Sequence, residues 1–472
     1  MRYAVKAVVG VLMRGAASRT LLGRSGGAAC IGPFVAIVFG VGGCGSPRTV
    51  EHSNGSPGKL SLVISGDTAG WIEPCGCIAN QSGGLPRRAT FVEDLRRSRE
   101  VILLDDGGAP AGASLYDRLK FEAILKGEHA LKTAAHNLGA PEAAFGADYL
   151  RDVQSRLHVP FVSANLRDSQ GSLVAVPRIE IKTRGLRIAV VGVVSPGLVR
   201  GGLKADEPRD AVLKAVKDLE YDSLIVLAYL PEPELRRLAT DLPEADLVVG
   251  GPTGQALAPT KVGPTWLASA TNKGKFLIEL DRLGPNDPWT GQVVEMNAGF
   301  ADNASQRRNL GRFHSDLASR DLSADQTGFV PRLPPDLPSG YAIAGTESCR
   351  ECHRDDCTIW NQTRHASAWK TLRDRGDHVD PLCQTCHTTG YGLPGGFASI
   401  SRSIEQTAVG CESCHGPSRG HVLMQKTKTP FLAKDQCVAC HDSENSPHFA
   451  FEDYWKRIRH GAASKTGAGD SR

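Results

Sequence analysis

The chain has 472 residues, 41% hydrophobic and 22% charged, with 55 Lys/Arg against 51 Asp/Glu for a formal net charge of +4. That length calls for at least two domains, and so even a charge balance argues against a nucleic-acid partner. Apart from a short apolar run near the N-terminus, no stretch approaches the apolar length that a bilayer span needs.

Arg14, Arg19 and Arg24 precede an apolar run over 31–41 that Pro33 interrupts. Behind a positive leader, a run this short is a signal-peptide core rather than a membrane span. Met13 is an alternative start. Gly42 and Gly43 before Cys44 fit a bacterial lipobox, in which the Cys is lipidated and becomes the mature N-terminus. Ordinary secretory cleavage nearby, or a retained anchor, is the competing reading. Residues 1–43 are therefore expected to be a signal peptide with a lipobox, and 44–59, rich in Gly, Ser and Pro, a flexible tether. The expected location is the periplasmic face of the cell envelope, on a lipid anchor, with inner or outer membrane undecided.

Over 60–300, apolar runs alternate with amphipathic stretches. Strands are predicted at 60–65, 101–104, 161–163, 188–194, 223–227, 245–249, 266–270 and 276–280. Helices are predicted at 87–98, 116–137, 209–219 and 232–238. Continuous Val/Ile/Leu runs between helices indicate an α/β domain with buried strands. Residues 301–340 read as a linker, helical in part over 301–325 and stiffened by Pro331, Pro334, Pro335 and Pro338.

From 341 onward the strand pattern stops. Cys-x-x-Cys-His occurs four times: Cys349/Cys352/His353, Cys383/Cys386/His387, Cys411/Cys414/His415 and Cys437/Cys440/His441. Each reads as a c-type haem attachment site: two thiols for thioethers and a His for one axial position on iron. Zinc is the competing reading, but zinc does not require His after every second Cys, and the export signal suits haem. Residues 340–472 carry 16 Lys/Arg and 15 Asp/Glu, so haem propionates would make this region acidic. Five His lie outside the motifs: His365, His378, His421, His448 and His460.

Ser65 to Pro74, Gly83 to Arg88, Leu103 to Gly107, Ser163 to Leu166 and Val190 to Gly192 resemble the 5′-nucleotidase-type metallophosphoesterase family, over about 60–285. The resemblance implies a layered α/β sandwich and a dinuclear metal site that activates water. Asp67 fits the first motif, but Ala69, Gly108 and Tyr229 stand where metal ligands are expected. The Gly-Asn-His motif is read at Gly146-Ala147-Asp148, and the terminal Gly-His-x-His at Gly251-Pro252-Thr253-Gly254. His129, His136 and His158 do not occupy ligand positions. The resemblance therefore implies a degenerate scaffold with no dinuclear metal and no hydrolysis, since fold alone does not carry activity. In the mature chain Cys75, Cys77 and Cys357 are left outside haem and lipid; they read as redox or soft-ligand cysteines or as structural thiols.

Trp360 to Ala366, Cys386 to Gly390, Gly410 to Pro417 and Tyr454 to Gly461 resemble the cytochrome c-552/c-554 family. By that resemblance His365, His421 and His460 are second axial ligands to three of the irons. The fourth is His378 or His448, or that iron is open to a small molecule. Arg364, Arg419 and Arg459 lie beside these ligands and could pair with propionates. The expected function is electron transfer by a tetrahaem c-type cytochrome. Its expected partners are other cytochromes or a membrane quinol oxidase. The alternative is an oxidoreductase acting on a small nitrogen or sulfur compound at an open haem.

Overall fold

A computed structural model describes residues 48–51, 59–74, 81–284, 287–333, 335–337, 340–425 and 427–461. The signal peptide, Cys44, Cys75, Cys77, Pro334 and Pro338 lie outside the described residues.

Strands buried on both faces form where Val, Ile and Leu run without alternation, because neither side is left for water. In chain order the elements are β1 (Arg48–Glu51), β2 (Leu60–Ser65), α1 (Leu85–Arg96), β3 (Glu100–Asp105), α2 (Leu115–Ala130), β4 (Ala135–Asn137), α3 (Ala140–Ala143), α4 (Ala147–Leu157), β5 (Phe161–Val162), β6 (Leu166–Arg167), β7 (Arg178–Thr183) and β8 (Leu186–Val194). They continue as β9 (Lys204–Ala205), α5 (Pro208–Val216), β10 (Ser223–Tyr229), α6 (Glu232–Asp241), β11 (Leu247–Gly251), β12 (Leu257–Val262), β13 (Thr265–Ser269), β14 (Phe276–Arg282), β15 (Thr290–Glu295) and α7 (Ala304–Arg320).

One six-stranded sheet runs β15-β14-β2-β3-β4-β5 and one seven-stranded sheet runs β1-β7-β8-β10-β11-β13-β12. Leu62, Ile64 and Ile102 of the first interlock with Ile179, Val190, Ile225 and Val249 of the second. Helices α2, α4 and α7 cover part of the outer surface through Phe121, Val153 and Leu310. Helices α5 and α6 cover the seven-stranded sheet through Val212 and Leu235. The result is an α/β layered sandwich, as the sequence implies.

Three boundaries differ from the sequence reading. The helix expected over 116–137 stops at Ala130: Lys132 turns with φ 57° and residues 135–137 become β4, parallel to β3 and β5. Its buried Ala-His-Asn is too short for periodicity to separate from the helix before it. Part of the expected tether forms β1, paired parallel with β7. Within the expected linker, α7 buries Gln306, Leu310, Phe313 and Leu317 against the N-terminal core.

The C-terminal region holds only short helices: α8 (Glu347–Arg350), α9 (Arg354–Asn361), α10 (Ala368–Arg375), α11 (Pro381–His387), α12 (Cys411–His415), α13 (Arg419–Leu423) and α14 (Phe451–Ile458). Its own apolar cluster is small, centred on Trp369, Leu372, Tyr391 and Phe397. No helix among the described residues is long and apolar enough to cross a membrane.

Candidate functional site

Cysteines three apart share one face of a helical turn, and that spacing governs the C-terminal site. Helix α11 carries Cys383, Cys386 and His387, and α12 carries Cys411, Cys414 and His415. In the first and fourth motifs the His353 N–H donates to the Cys349 carbonyl and the His441 N–H to the Cys437 carbonyl, each at 2.9 Å, closing the same turn.

Three histidine pairs face one another. Ring centres lie 6.3 Å apart for His353 and His421, 6.1 Å for His441 and His365, and 6.0 Å for His415 and His460. Two imidazoles bound to one metal from opposite sides, each about 2 Å from nitrogen to metal, place their ring centres roughly 6 Å apart. The donor set therefore fits an iron between each pair. The Nδ1 atoms of His421 and His441 lie 2.5 Å from the Thr427 carbonyl and 2.8 Å from Ser446 Oγ. Those of His460 and His387 lie 2.9 Å from the carbonyls of Ile458 and Ala368. An Nδ1–H donated to such an oxygen leaves Nε2 for metal and fixes the ring.

His387 has no facing imidazole among the described residues. His378 packs edge-on against Trp369 at 5.8 Å, and His448 is exposed. Thiols from different motifs also meet: Cys349 contacts Cys411, and Cys386 contacts Cys440. The first and third attachment sites are thus neighbours, as are the second and fourth. Cys357, one of the cysteines outside the haem motifs, is 2% exposed and adjoins Cys411. Arg364, Arg419 and Arg459 are exposed.

Glu412, inside the third motif, ties the haem region together. Its buried carboxylate accepts from the N–H groups of Ala344 at 2.8 Å, Gly345 at 2.7 Å and Ser418 at 2.7 Å. Nothing in Cys-x-x-Cys-His requires an acid at that position, so the motif alone could not reveal it.

In the N-terminal region the strand ends that would hold metals converge on a filled space. A Cβ at Gly108 would fall 2.5 Å from the Tyr229 ring and 3.0 Å from Asp67 Cα. One at Gly139 would fall 2.8 Å from the same ring. Tyr229 therefore occupies the volume that a ligand side chain at 108 would need. The Gly146-Ala147-Asp148 reading is corrected: Asp148 is exposed on α4, whereas the tip of β4 leads into Gly139-Ala140-Pro141-Glu142. Ala140 and Pro141 carry no ligand atoms. Glu142 turns inward and accepts from the N–H groups of Gly108 at 3.1 Å and Ala109 at 2.6 Å.

Behind this space lies a buried charged network. His136 Nδ1 is 2.8 Å from Glu128 and 3.9 Å from Asp105, and Nε2 is 3.6 Å from Glu142. Asp105, Glu128 and His136 are close enough to share a cation. Burial alone pushes the His136 pKa down, but Glu128, Glu142 and Asp105 outweigh it and hold it well above 6.5. Burial, then Asp105 and Asp67, pushes the Asp106 carboxyl well above 3.8; neither of its oxygens has a hydrogen-bond partner. Burial also raises Asp67, which accepts from the Thr271 hydroxyl at 2.6 Å.

Residues 348–416 match the family model described as cytochrome c554 and c-prime. Cytochrome c-554 of Nitrosomonas europaea is 31% identical over 153 residues, 24% of this chain and 65% of that protein. A snake venom 5′-nucleotidase of Crotalus adamanteus is 29% identical over 328 residues, 60% of this chain and 54% of that protein. The chain thus spans less than two thirds of the length of either relative. Among solved structures, a 5′-nucleotidase precursor of Thermus thermophilus aligns with TM-score 0.48 and 17% identity, over 74% of this chain and 73% of that one. The C-terminal match implies c-type haem, and the N-terminal region resembles 5′-nucleotidases in sequence.

Proposed function

We propose that the chain is a periplasm-facing, lipid-anchored tetrahaem c-type cytochrome that passes electrons between redox proteins. The N-terminal region would serve it as a non-hydrolytic scaffold. The observation that carries this reading is the set of three histidine pairs with ring centres 6.0 to 6.3 Å apart, each joining a motif His to a His outside the motifs.

Bound haem would supply one-electron Fe(III)/Fe(II) chemistry. Cys349 and Cys352, Cys383 and Cys386, Cys411 and Cys414, and Cys437 and Cys440 would hold the four groups. His353 with His421, His441 with His365, and His415 with His460 would give three irons two axial nitrogens each. With Cys349 beside Cys411, Cys386 beside Cys440, and Cys414 near both Cys437 and Cys440, the placement favours transfer along one series of four sites. Other cytochromes or a membrane quinol oxidase would be the partners, and Cys44 would carry the lipid.

The lone His387 favours a second reading: catalysis on a small nitrogen or sulfur compound at that iron. Low-temperature EPR of the oxidised protein, with haem count from intact mass, separates the two. The second reading expects one high-spin iron that responds to nitric oxide. Four low-spin irons would leave electron transfer alone. Fewer than four haems would sink the tetrahaem reading.

A further inference from the structure

Helix α11 is seated on the core of the N-terminal region. Val379, just before it, is buried in the same cluster as Tyr116, Phe121 and Phe313, and Leu382 packs against that cluster. The cap of α11 is Asp380. Its Oδ1 accepts from the Leu382 N–H at 2.8 Å and from the Tyr116 hydroxyl at 2.7 Å. Its Oδ2 lies 3.6 Å from Lys120 Nζ. The Lys120 ammonium also donates to the Tyr116 oxygen. Tyr116, Lys120 and Asp380 are 2%, 5% and 6% exposed, so the charges are withdrawn from water. The segment after the fourth motif also touches the N-terminal region, through Lys273 and Lys275 on Glu444, but those side chains are 23% to 32% exposed and are screened by solvent.

We infer that Tyr116 and Lys120, from the phosphoesterase-like region, are positioning residues that act through Asp380 on the potential of the haem held by Cys383, Cys386 and His387. The inference rests on the tetrahaem reading and adds to it a role for the scaffold. A buried carboxylate at the start of α11 favours Fe(III), and the ammonium beside it offsets that charge. In a low-dielectric interior, removing one member of the pair leaves the other uncompensated. Tyr116 and the Leu382 N–H fix where the carboxylate sits, and a side-chain cap holds the first turn of the attachment helix.

The two halves of the pair should therefore shift one haem in opposite directions. Asp380→Asn keeps a capping oxygen and leaves Lys120 unopposed, so the potential should rise. Lys120→Met leaves Asp380 unopposed, so it should fall. Each shift should approach a tenfold change in the Fe(III)/Fe(II) equilibrium, about 59 mV for a one-electron couple. The double variant should return toward wild type.

The test is a redox titration of the full-length, haem-loaded protein followed by EPR, with haem count by intact mass. Opposite shifts confined to one of the four irons uphold the inference. Unchanged potentials, or equal shifts of all four, overturn it while leaving the tetrahaem reading intact. Absence of haem at Cys383 and Cys386 overturns both. If Lys120→Met does not fold, Tyr116→Phe serves in its place: it removes one hydrogen bond to Asp380 and should move that same iron alone.

Discussion

The N-terminal region closes a large core with its own side chains, whereas the C-terminal region buries only one small apolar cluster of its own. In the first, two sheets and their helices bury four apolar clusters. In the second, helices of four to eight residues surround one small cluster, and Val422, Leu423, Met424, Leu432 and Val438 remain exposed near the third and fourth motifs. Burying apolar surface is the main favourable term in folding. The two regions should therefore respond very differently to loss of cofactor.

The largest effect should come from expressing the chain without haem attachment. Residues 341–461 should then exchange amide hydrogens as an unfolded chain does, while 60–300 stay protected; protection throughout would erase the distinction. Next in size is Glu412→Ala, which strands two buried N–H groups and a partly buried one and should cost about 3 kcal/mol. The loss should appear as faster hydrogen exchange over 341–424 and leave β2 and β3 unaffected.

Gly108→Asp tests the opposite region. It forces a side chain at φ 80° into the Tyr229 ring and should cost about 2–4 kcal/mol. Denaturant unfolding measures that cost, and phosphatase assays should detect no activity. Added Tyr229→Ala should recover part of the stability.

The smallest effect concerns pH. The folded Asp106 carboxyl keeps its proton well above 3.8, where the unfolded chain has released it. Stability therefore falls as pH rises from about 3.8 toward the folded value. Asp106→Asn removes that dependence, so the loss of Tm between pH 4 and pH 8 should be smaller than in the parent. His136 works in the same direction: its folded pKa lies above 6.5, so its contribution is full below 6.5 and is lost at higher pH.

The same contrast explains what could be read from sequence. Strands such as β8 and β10 announce themselves as unbroken apolar runs, because both faces are buried. The attachment sites announce themselves by covalent chemistry, which requires a fixed spacing. β4 was hidden because three residues cannot express a period, and β1 because its Arg-Thr-Val-Glu resembles the polar tether around it. The Gly-Asn-His position is hard to place for a related reason: with Ala140 and Pro141 after it, Gly139 is all of the motif that the sequence shows, and Gly146 imitates it. Tyr116, Lys120 and Asp380 were invisible as a group because more than 250 positions separate α2 from α11 along the chain, and only packing joins them.

The seating of Val379 and Leu382 in the N-terminal core also bears on how the molecule can be divided. The proline-rich joint over 331–338 is where the covalent chain changes character, but the energetic boundary lies elsewhere. A cut at 340 would leave Val379 and Leu382 facing water and Asp380 without Tyr116 and Lys120. A fragment made by following the sequence motifs would therefore start without the surface on which its second attachment helix rests.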